Sequence, residues 1–373
     1  MSDWKEYKLG ELIKDIAAGP FGSNLKVECF VESGFPIIDG ANLKGIKVTD
    51  NITKYVTEKK ARSLHRAIAK RNDIVVTISG NVGQIAYIPD NSKYLEYLVS
   101  QRQFRATFDV TKVDVPFLVY YFHTRVGQHK ILSFANQVGV PALAQPIKNF
   151  KEIELELPPI NEQKRIAGVL GSLDDKIDLL RRENATLEAM AETLFRQWFV
   201  VEAKEEWEEG KLGDLIEVKY GKDHKKLLDG KIPVIGSGGI MRYADTALYD
   251  KESVLIPRKG TLNNVMYINE PFWTVDTMFY TEMRRPNIAK FVFHFMKGQD
   301  LANMNVGSAV PSMTTEVLNN MPIDIPPQEV FDKFEKAVAS LYNKKEQNKK
   351  QIQTLIQTRD GLLPRLMNGE TVI

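Results

Sequence analysis

Two periods alternate along this chain. Asp73-Ile74-Val75-Val76-Thr77-Ile78 and Ser253-Val254-Leu255-Ile256 are short β-branched runs that end near glycines, and they read as buried strands. Ile153-Glu154-Leu155-Glu156-Leu157 and Met321-Pro322-Ile323-Asp324-Ile325 alternate apolar with polar and stop at Pro-Pro, the pattern of a strand with one face in solvent. Aromatic-rich stretches at 117–122 and 288–296 predict helices packed under a sheet. After each Pro-Pro the period lengthens. Ile166, Leu173, Leu180, Leu187 and Leu194 recur at heptad spacing, interleaved with Leu170, Ile177, Asn184, Ala191 and Trp198. Phe334, Leu341, Asn348, Leu355 and Leu362 do the same, interleaved with Val338, Lys345, Ile352, Arg359 and Leu366. Both series predict coiled-coil helices, the first over 161–199 and roughly 58 Å long at an α-helical rise of about 1.5 Å per residue. Asn184 and the Lys345/Asn348 pair place polar groups in the seam, either to fix register and orientation or as solvated positions. Leu362-Leu363, Ile356 and Tyr342 widen the second apolar stripe beyond a two-helix seam, so further helices are expected to dock there.

The alternation is a duplication. Trp4 with Lys8-Leu9-Gly10-Glu11-Leu12-Ile13 returns as Trp207 with Lys211-Leu212-Gly213-Asp214-Leu215-Ile216. Phe21-Gly22-Ser23 returns as Tyr220-Gly221-Lys222, Pro36 as Pro233, Gly80 as Gly260, Val140-Pro141 as Val310-Pro311, and Leu157-Pro158-Pro159 as Ile325-Pro326-Pro327. The separation between partners only shrinks along the chain, as it does when one of two collinear copies has lost loop residues. Four segments follow: globular 1–157, helical 158–201, globular 202–325 and helical 326–373. The expected fold class is α+β, with two homologous mixed α/β domains separated by two long helices. Equivalent units tend to pack about a pseudo-twofold axis, which makes the helices antiparallel and puts one domain at each end of a rod. Such a rod spans more than one turn of duplex DNA at about 3.4 Å per base pair.

Composition narrows the class. A chain of 373 residues with 43% hydrophobic content is long enough for two cores. No apolar run approaches the ~20 residues of a membrane span, and Met1-Ser2-Asp3-Trp4-Lys5 lacks the regions of a signal peptide, so a cytoplasmic, non-membrane protein is expected. Cys29 is the only cysteine, which excludes an intrachain disulfide or thiolate cluster. His123 and His129 match no usual metal spacing, and no metal site is expected. The net charge of +2 argues against a wholesale basic nucleic-acid binder. Residues 1–157 carry +4 and residues 202–325 carry −3, the deficit arising where Glu202, Glu205, Glu206, Glu208 and Glu209 crowd together. That stretch reads as a solvated linker that cannot face a phosphate backbone.

Catalytic apparatus is missing from the sequence. There is no G-x-x-x-x-G-K-[ST] loop, no G-x-S-x-G elbow and no Asn-Pro-Pro-aromatic tetrapeptide. Ile235-Gly236-Ser237-Gly238-Gly239 reads as a turn, and Glu-x-Lys at Glu58, Glu202 and Glu209 is too frequent to mark a nuclease. Polar loops are present instead, with side chains suited to base edges and phosphates. The first domain offers Ser23, Asn24, Lys26, Asn42, Lys44, Ser79, Asn81, Gln101, Arg102, Gln103 and Arg105. The second offers Lys222, His224, Lys225, Lys226, Ser237, Arg242, Arg258, Lys259, Asn263 and Asn264. They fall at matching places in both copies.

Three strings carry a resemblance. Leu157-Pro158-Pro159-Ile160-Asn161-Glu162-Gln163-Lys164-Arg165-Ile166-Ala167, Leu173-Asp174-Asp175-Lys176-Ile177 and Leu362-Leu363-Pro364-Arg365-Leu366-Met367-Asn368-Gly369-Glu370 resemble the helical regions of the specificity subunit of type I restriction-modification systems. The likeness covers the whole chain, and the second copy departs from it at Pro327-Gln328-Glu329-Val330-Phe331. It implies a non-catalytic DNA reader in which each target recognition domain reads one half of a split, asymmetric site. It also implies that the helices hold two modification subunits, which bind S-adenosylmethionine and methylate adenine. Restriction subunits using ATP and Mg2+ would complete the assembly, and this chain itself would bind no cofactor. A self-contained methyltransferase-nuclease and a coiled-coil adaptor that does not bind DNA are the alternatives.

Overall fold

The computed structural model describes residues 4–136, 140–304 and 312–370, so Val310-Pro311 of the repeat lies outside the described residues. The chain forms two compact units, Met1–Leu179 with Gln351–Ile373, and Leu180–Lys350. Each globular domain is therefore folded together with a piece of both long helices.

In the first unit a four-stranded antiparallel sheet runs in the order Ile13–Ala18, Gln103–Phe108, Ile74–Thr77, Ile85–Tyr87. Ile74 and Val76 point into a core with Phe104, Phe117 and Phe122, while Val75 between them points into a second core with Ile37, Ile38 and Leu98. Because both faces are covered, this run is apolar throughout. Glu154–Leu157 pairs with Lys5–Lys8, Tyr7 opposite Leu155, and has only one covered face. Its glutamates stay exposed while Leu155 and Leu157 are buried. The second core lies under a five-stranded sheet, Phe30–Val31, Tyr55–Val56, Phe35–Ile38, Glu96–Val99, Ile68–Lys70, whose third and fourth strands run parallel. The aromatic helix Val115–His123 begins where the Asp114 carboxylate accepts the Phe117 N–H at 3.0 Å, and every residue from Phe117 to Phe122 is buried.

The second unit repeats this frame. Glu208–Lys211 pairs with Pro322–Ile325, and the four-stranded order is Ile216–Tyr220, Met278–Met283, Ser253–Pro257, Met266–Ile268. Val254 and Ile256 face one core and Leu255 another, as in the first copy. The smaller sheet is Gly239–Ala244, Asp229–Gly236, Trp273–Thr274, its last two strands parallel. The glycine-rich segment is the turn of a hairpin, Gly236 opposite Gly239. Glu208 and Glu209 correct the linker reading. Their backbones pair with Ile325 and Asp324 while their side chains remain in solvent.

The repeat alignment holds at Pro36/Pro233 and at Gly80/Gly260, both glycines having φ of 86° and 85°. It fails at Gly22/Gly221, because the counterpart of Gly221 is Gly19. The Gly19 N–H donates to Gln103 O at 2.8 Å and the Gly221 N–H to Met278 O at 3.0 Å. A Cβ at either position would stand 1.9 or 2.0 Å from a backbone carbonyl oxygen, of Ser100 or Val275, so only glycine fits.

The long helices are Ile160–Arg196, continued by one wide turn over Gln197–Val201, and Gln328–Met367. Within the second unit Asn348 Nδ2 donates to Asn184 Oδ1 at 3.0 Å and to Glu183 Oε2 at 2.9 Å, and Lys345 reaches Glu188 at 2.6 Å. Within the first, Arg359 reaches Asp174 at 2.6 Å, and Leu366 and Met367 share a core with Ile166 and Leu170. Residue numbers fall on one helix as they rise on the other, so the segments are antiparallel in each unit. Asn184, Lys345 and Asn348 are thus partnered seam residues rather than solvated ones. The widened part of the stripe is partly covered within each unit. Leu362 and Leu363 pack against the first domain's core, and Tyr342 is buried in the second with its hydroxyl 2.9 Å from His294 Nε2. The globular domains themselves lie on the stripe; Ile356 stays half-buried.

The helix starts differ in chemistry. Gln163 is buried and bridges outward, its Oε1 accepting the Asp114 N–H at 2.9 Å and its Nε2 donating to Pro158 O at 2.8 Å. The second copy has Phe331 at this place, fully buried against Phe199 and Phe291. An apolar contact worth about 1.5–3 kcal/mol on burial replaces a hydrogen-bonded one, and the helix still begins directly after Pro327.

Candidate nucleic-acid interface

In the first domain the C-terminal ends of the parallel strands Phe35–Ile38 and Glu96–Val99 open into a cleft of about 650 Å³. Lys44, Ser79, Asn81, Gln101, Arg102 and Gln103 line it together. Asn24 lies on an adjoining groove of about 660 Å³ that shares Ser79, Gln101 and Arg102 with the cleft. Asp39, Lys54, Thr77, Gln84 and Ser100 are polar lining residues that are not candidates in the sequence. Asp39 caps the turn Gly40–Asn42, and Lys54 comes from a distant loop to meet its carboxylate at 2.7 Å. Burial acts to raise the Asp39 carboxyl, but Lys54 and the Ala41 N–H outweigh it and hold its pKa below the usual value. The Asp39/Gly40-Ala41-Asn42 capping box was the one local signal available.

Three first-domain candidates turn out to be internal. Asn42 is buried, with Oδ1 accepting the Asp39 N–H at 3.0 Å and Nδ2 donating to Thr49 O and Asn51 O at 3.2 and 3.1 Å. All of its geometry is spent on its own loop. Arg105 is buried too, bound to Arg66 O at 3.0 Å, Thr107 Oγ1 at 3.3 Å and Asp15 at 2.6 Å. The Arg105 guanidinium pulls the Asp15 carboxyl below its usual pKa. Gln103 lines the cleft but is 2% exposed and hydrogen-bonds Thr77 and Ser100. Asn42 and Arg105 are committed to these partners and expose little side chain. Ser23 and Lys26 are exposed on the loop before the five-stranded sheet, off the cleft's lining.

In the second domain Lys222, Lys225 and Lys226 are exposed on the loop after Ile216–Tyr220, with His224 half-buried among them. Lys259 is exposed next to Gly260. Arg258 lies over the Tyr220 ring at 5.3 Å and donates to Asp276 O at 3.2 Å. Other candidates serve the loops: Arg242 donates to Leu227 O at 2.8 Å, Asn264 to Ser237 O at 2.8 Å, and Asn263 accepts the Ala302 N–H at 3.1 Å. Arg242 thus braces its hairpin through one guanidinium nitrogen.

Of the helix positions, Ile166, Leu170, Ile177, Leu180, Phe334, Val338, Asn348 and Leu366 are buried. Leu173, Asn184, Leu187, Leu194, Trp198, Leu341, Ile352, Leu355, Ile356, Leu362 and Leu363 are half-buried. Asp174, quoted only as part of a motif, accepts the Tyr120 hydroxyl at 2.6 Å beside Arg359. Burial and the Asp174 charge push the Tyr120 phenol far above its usual pKa, so it remains a donor. Among the described residues no group of histidines, cysteines and carboxylates could hold a metal ion, and no helix is long and apolar enough to cross a membrane.

Two collinear sheet domains, each carrying a polar loop surface and each anchored on the same pair of helices, define a duplicated recognition protein. The chain belongs to the family described as type I restriction modification DNA specificity domain, whose model matches residues 1–189 and 204–357. It is a DNA sequence-specificity chain of that system. It is 24% identical to the type I restriction enzyme MjaIX specificity subunit of Methanocaldococcus jannaschii, over 99% of this chain and 96% of that one. It is 21% identical to the HindI specificity subunit of Haemophilus influenzae, over 99% and 100%. The crystal structure of a type I restriction-modification S subunit from M. genitalium superposes with a TM-score of 0.64 at 19% identity, covering 98% of this chain and 96% of that one, and so shares its fold.

Proposed function

We propose that residues 1–157 and 202–325 are target recognition domains that each read one half of a bipartite, asymmetric DNA site, and that 158–201 and 326–373 are the helical regions that dock two modification subunits. The observation that carries this reading is the duplication of one frame with unlike loop surfaces, which suits two different half-sites in one duplex. Catalysis then belongs to partners: modification subunits that bind S-adenosylmethionine and methylate adenine, and restriction subunits that use ATP and Mg2+. The sequence of this chain has none of the loops those chemistries need. Exchanging residues 1–157 for the matching domain of a relative, co-expressed with a modification subunit, should rewrite one half of the methylated sequence and leave the other unchanged. An exchange that rewrites both halves, or methyl transfer by the purified chain alone, would overturn the proposal.

A further inference from the structure

We propose that the Ser100–Gln103 turn is the base-reading element of the first domain, with Arg102 donating paired hydrogen bonds to a guanine and Gln101 engaging the adjoining base. This rests on the reading of the chain as a sequence-specific DNA binder and names the side chains that do the reading. The turn stands between the cleft and its adjoining groove, and Gln101 and Arg102 line both. Its backbone is held on every side. Gln103 N–H closes the turn on Ser100 O at 3.0 Å, Ser100 N–H donates to Ile38 O at 3.0 Å, and Gly19 and Ile78 donate to Gln103 O and Arg102 O at 2.8 Å each. The side chain of Gln101 lies over Gly22 and that of Arg102 over Gly80. Both are exposed, and among the described residues neither has a hydrogen-bond or ionic partner. The fold itself fixes the backbone of this turn, and the two side chains it presents side by side are left without internal partners, as a preorganised binding element requires.

The second domain supplies an independent observation. The turn Val275–Met278 repeats the same four bonds: Met278 N–H to Val275 O at 3.0 Å, Val275 N–H to Ile235 O at 3.1 Å, Gly221 N–H to Met278 O at 3.0 Å and Arg258 N–H to Thr277 O at 2.8 Å. The presented side chains differ, Asp276 and Thr277 in place of Gln101 and Arg102, and the flanking residues become Val275 and Met278 in place of Ser100 and Gln103. The backbone is kept while its cargo changes from two donors to a carboxylate and a hydroxyl. That is the pattern of an element whose side chains choose the target. Arginine matches guanine O6 and N7, glutamine matches adenine, and a carboxylate accepts from cytosine N4. A carboxylate at this place in the second domain also argues that the turn meets base edges, because a phosphate would repel it.

Binding selection from randomised duplexes with the full-length chain tests this. The wild type should enrich a defined sequence, and Arg102→Ala should lose discrimination at one guanine of one half-site by roughly 5- to 150-fold, the worth of one paired contact, with the other half intact. Gln101→Asp with Arg102→Thr, which installs the second domain's side chains on the first domain's turn, should replace the preference at those positions. Uniform weakening with every preference retained would make Arg102 a phosphate contact and overturn the proposal, as would an unchanged sequence in the double variant. A wild type without any preference would sink the underlying DNA-reading function, and this assignment with it.

Discussion

The two globular domains share a frame and differ in how they grip the helices. In the first, a tyrosine, a carboxylate and a guanidinium meet: Tyr120 and Arg359 both bind Asp174 at 2.6 Å. The second inverts the charges around a buried cation. Lys290, 7% exposed at its side chain, sits between Glu335 at 2.5 Å and Glu252 at 3.2 Å and lies over the rings of Tyr267 and Tyr342. The strands and glycines agree between copies because their constraints are backbone ones, set by sheet pairing and by approach distances that no side chain can relax. The polar grips are free to diverge, since several charge arrangements satisfy the same burial. What teaches most is where divergence stops: at Gly19 and Gly221, and at the turns beside them.

Removing the second domain's buried cation should have the largest effect. Lys290→Met leaves Glu252 and Glu335 facing each other without a counter-charge, and should cost about 3–5 kcal/mol in urea unfolding. Adding Glu252→Gln and Glu335→Gln should recover part of that; no recovery would mean the loss came from packing. Next, Gly19→Ala and Gly221→Ala should be comparably harmful, each on the order of 3 kcal/mol, because each Cβ collides with a carbonyl oxygen that cannot move aside. If one is tolerated and the other is not, the two glycines are not equivalent and the alignment of the copies is wrong there.

The smallest expected effect is a dependence of stability on pH. His294 is buried beside Phe195 and Tyr342, and burial lowers its pKa to about 4, with Glu188 opposing and Lys297 and Lys345 assisting. Unfolded, it titrates near 6.5. The folded state therefore binds fewer protons between these values, so this contribution to stability is whole above about pH 6.5 and is lost as pH falls toward 4. The loss should be up to about 3 kcal/mol for this group. His294→Gln should flatten the fall in the unfolding midpoint over that window. An unchanged pH profile in the variant would show that His294 is not the group responsible.

The heptad series, the alternating strands before each Pro-Pro, the aromatic helices and the duplication are all legible in the residues, because each is a local period imposed by burial on one face. Which polar residues face outward is not local. Asn42, Arg105 and Arg242 look alike as polar candidates in the sequence, and each is tied to a partner, Thr49, Asp15 or Leu227, that arrives through folding. Lys54 enters the cleft only because a separate loop brings it to Asp39. The Gly22/Gly221 match fails for the same reason: which glycine lies against a carbonyl depends on a turn far along the chain, at Ser100 in one copy and Val275 in the other. Local periods are enough to lay out two copies of one mixed domain and two heptad helices. Which donors are left without partners is settled on folding, since a hydrogen bond between distant residues leaves no trace in the spacing of either.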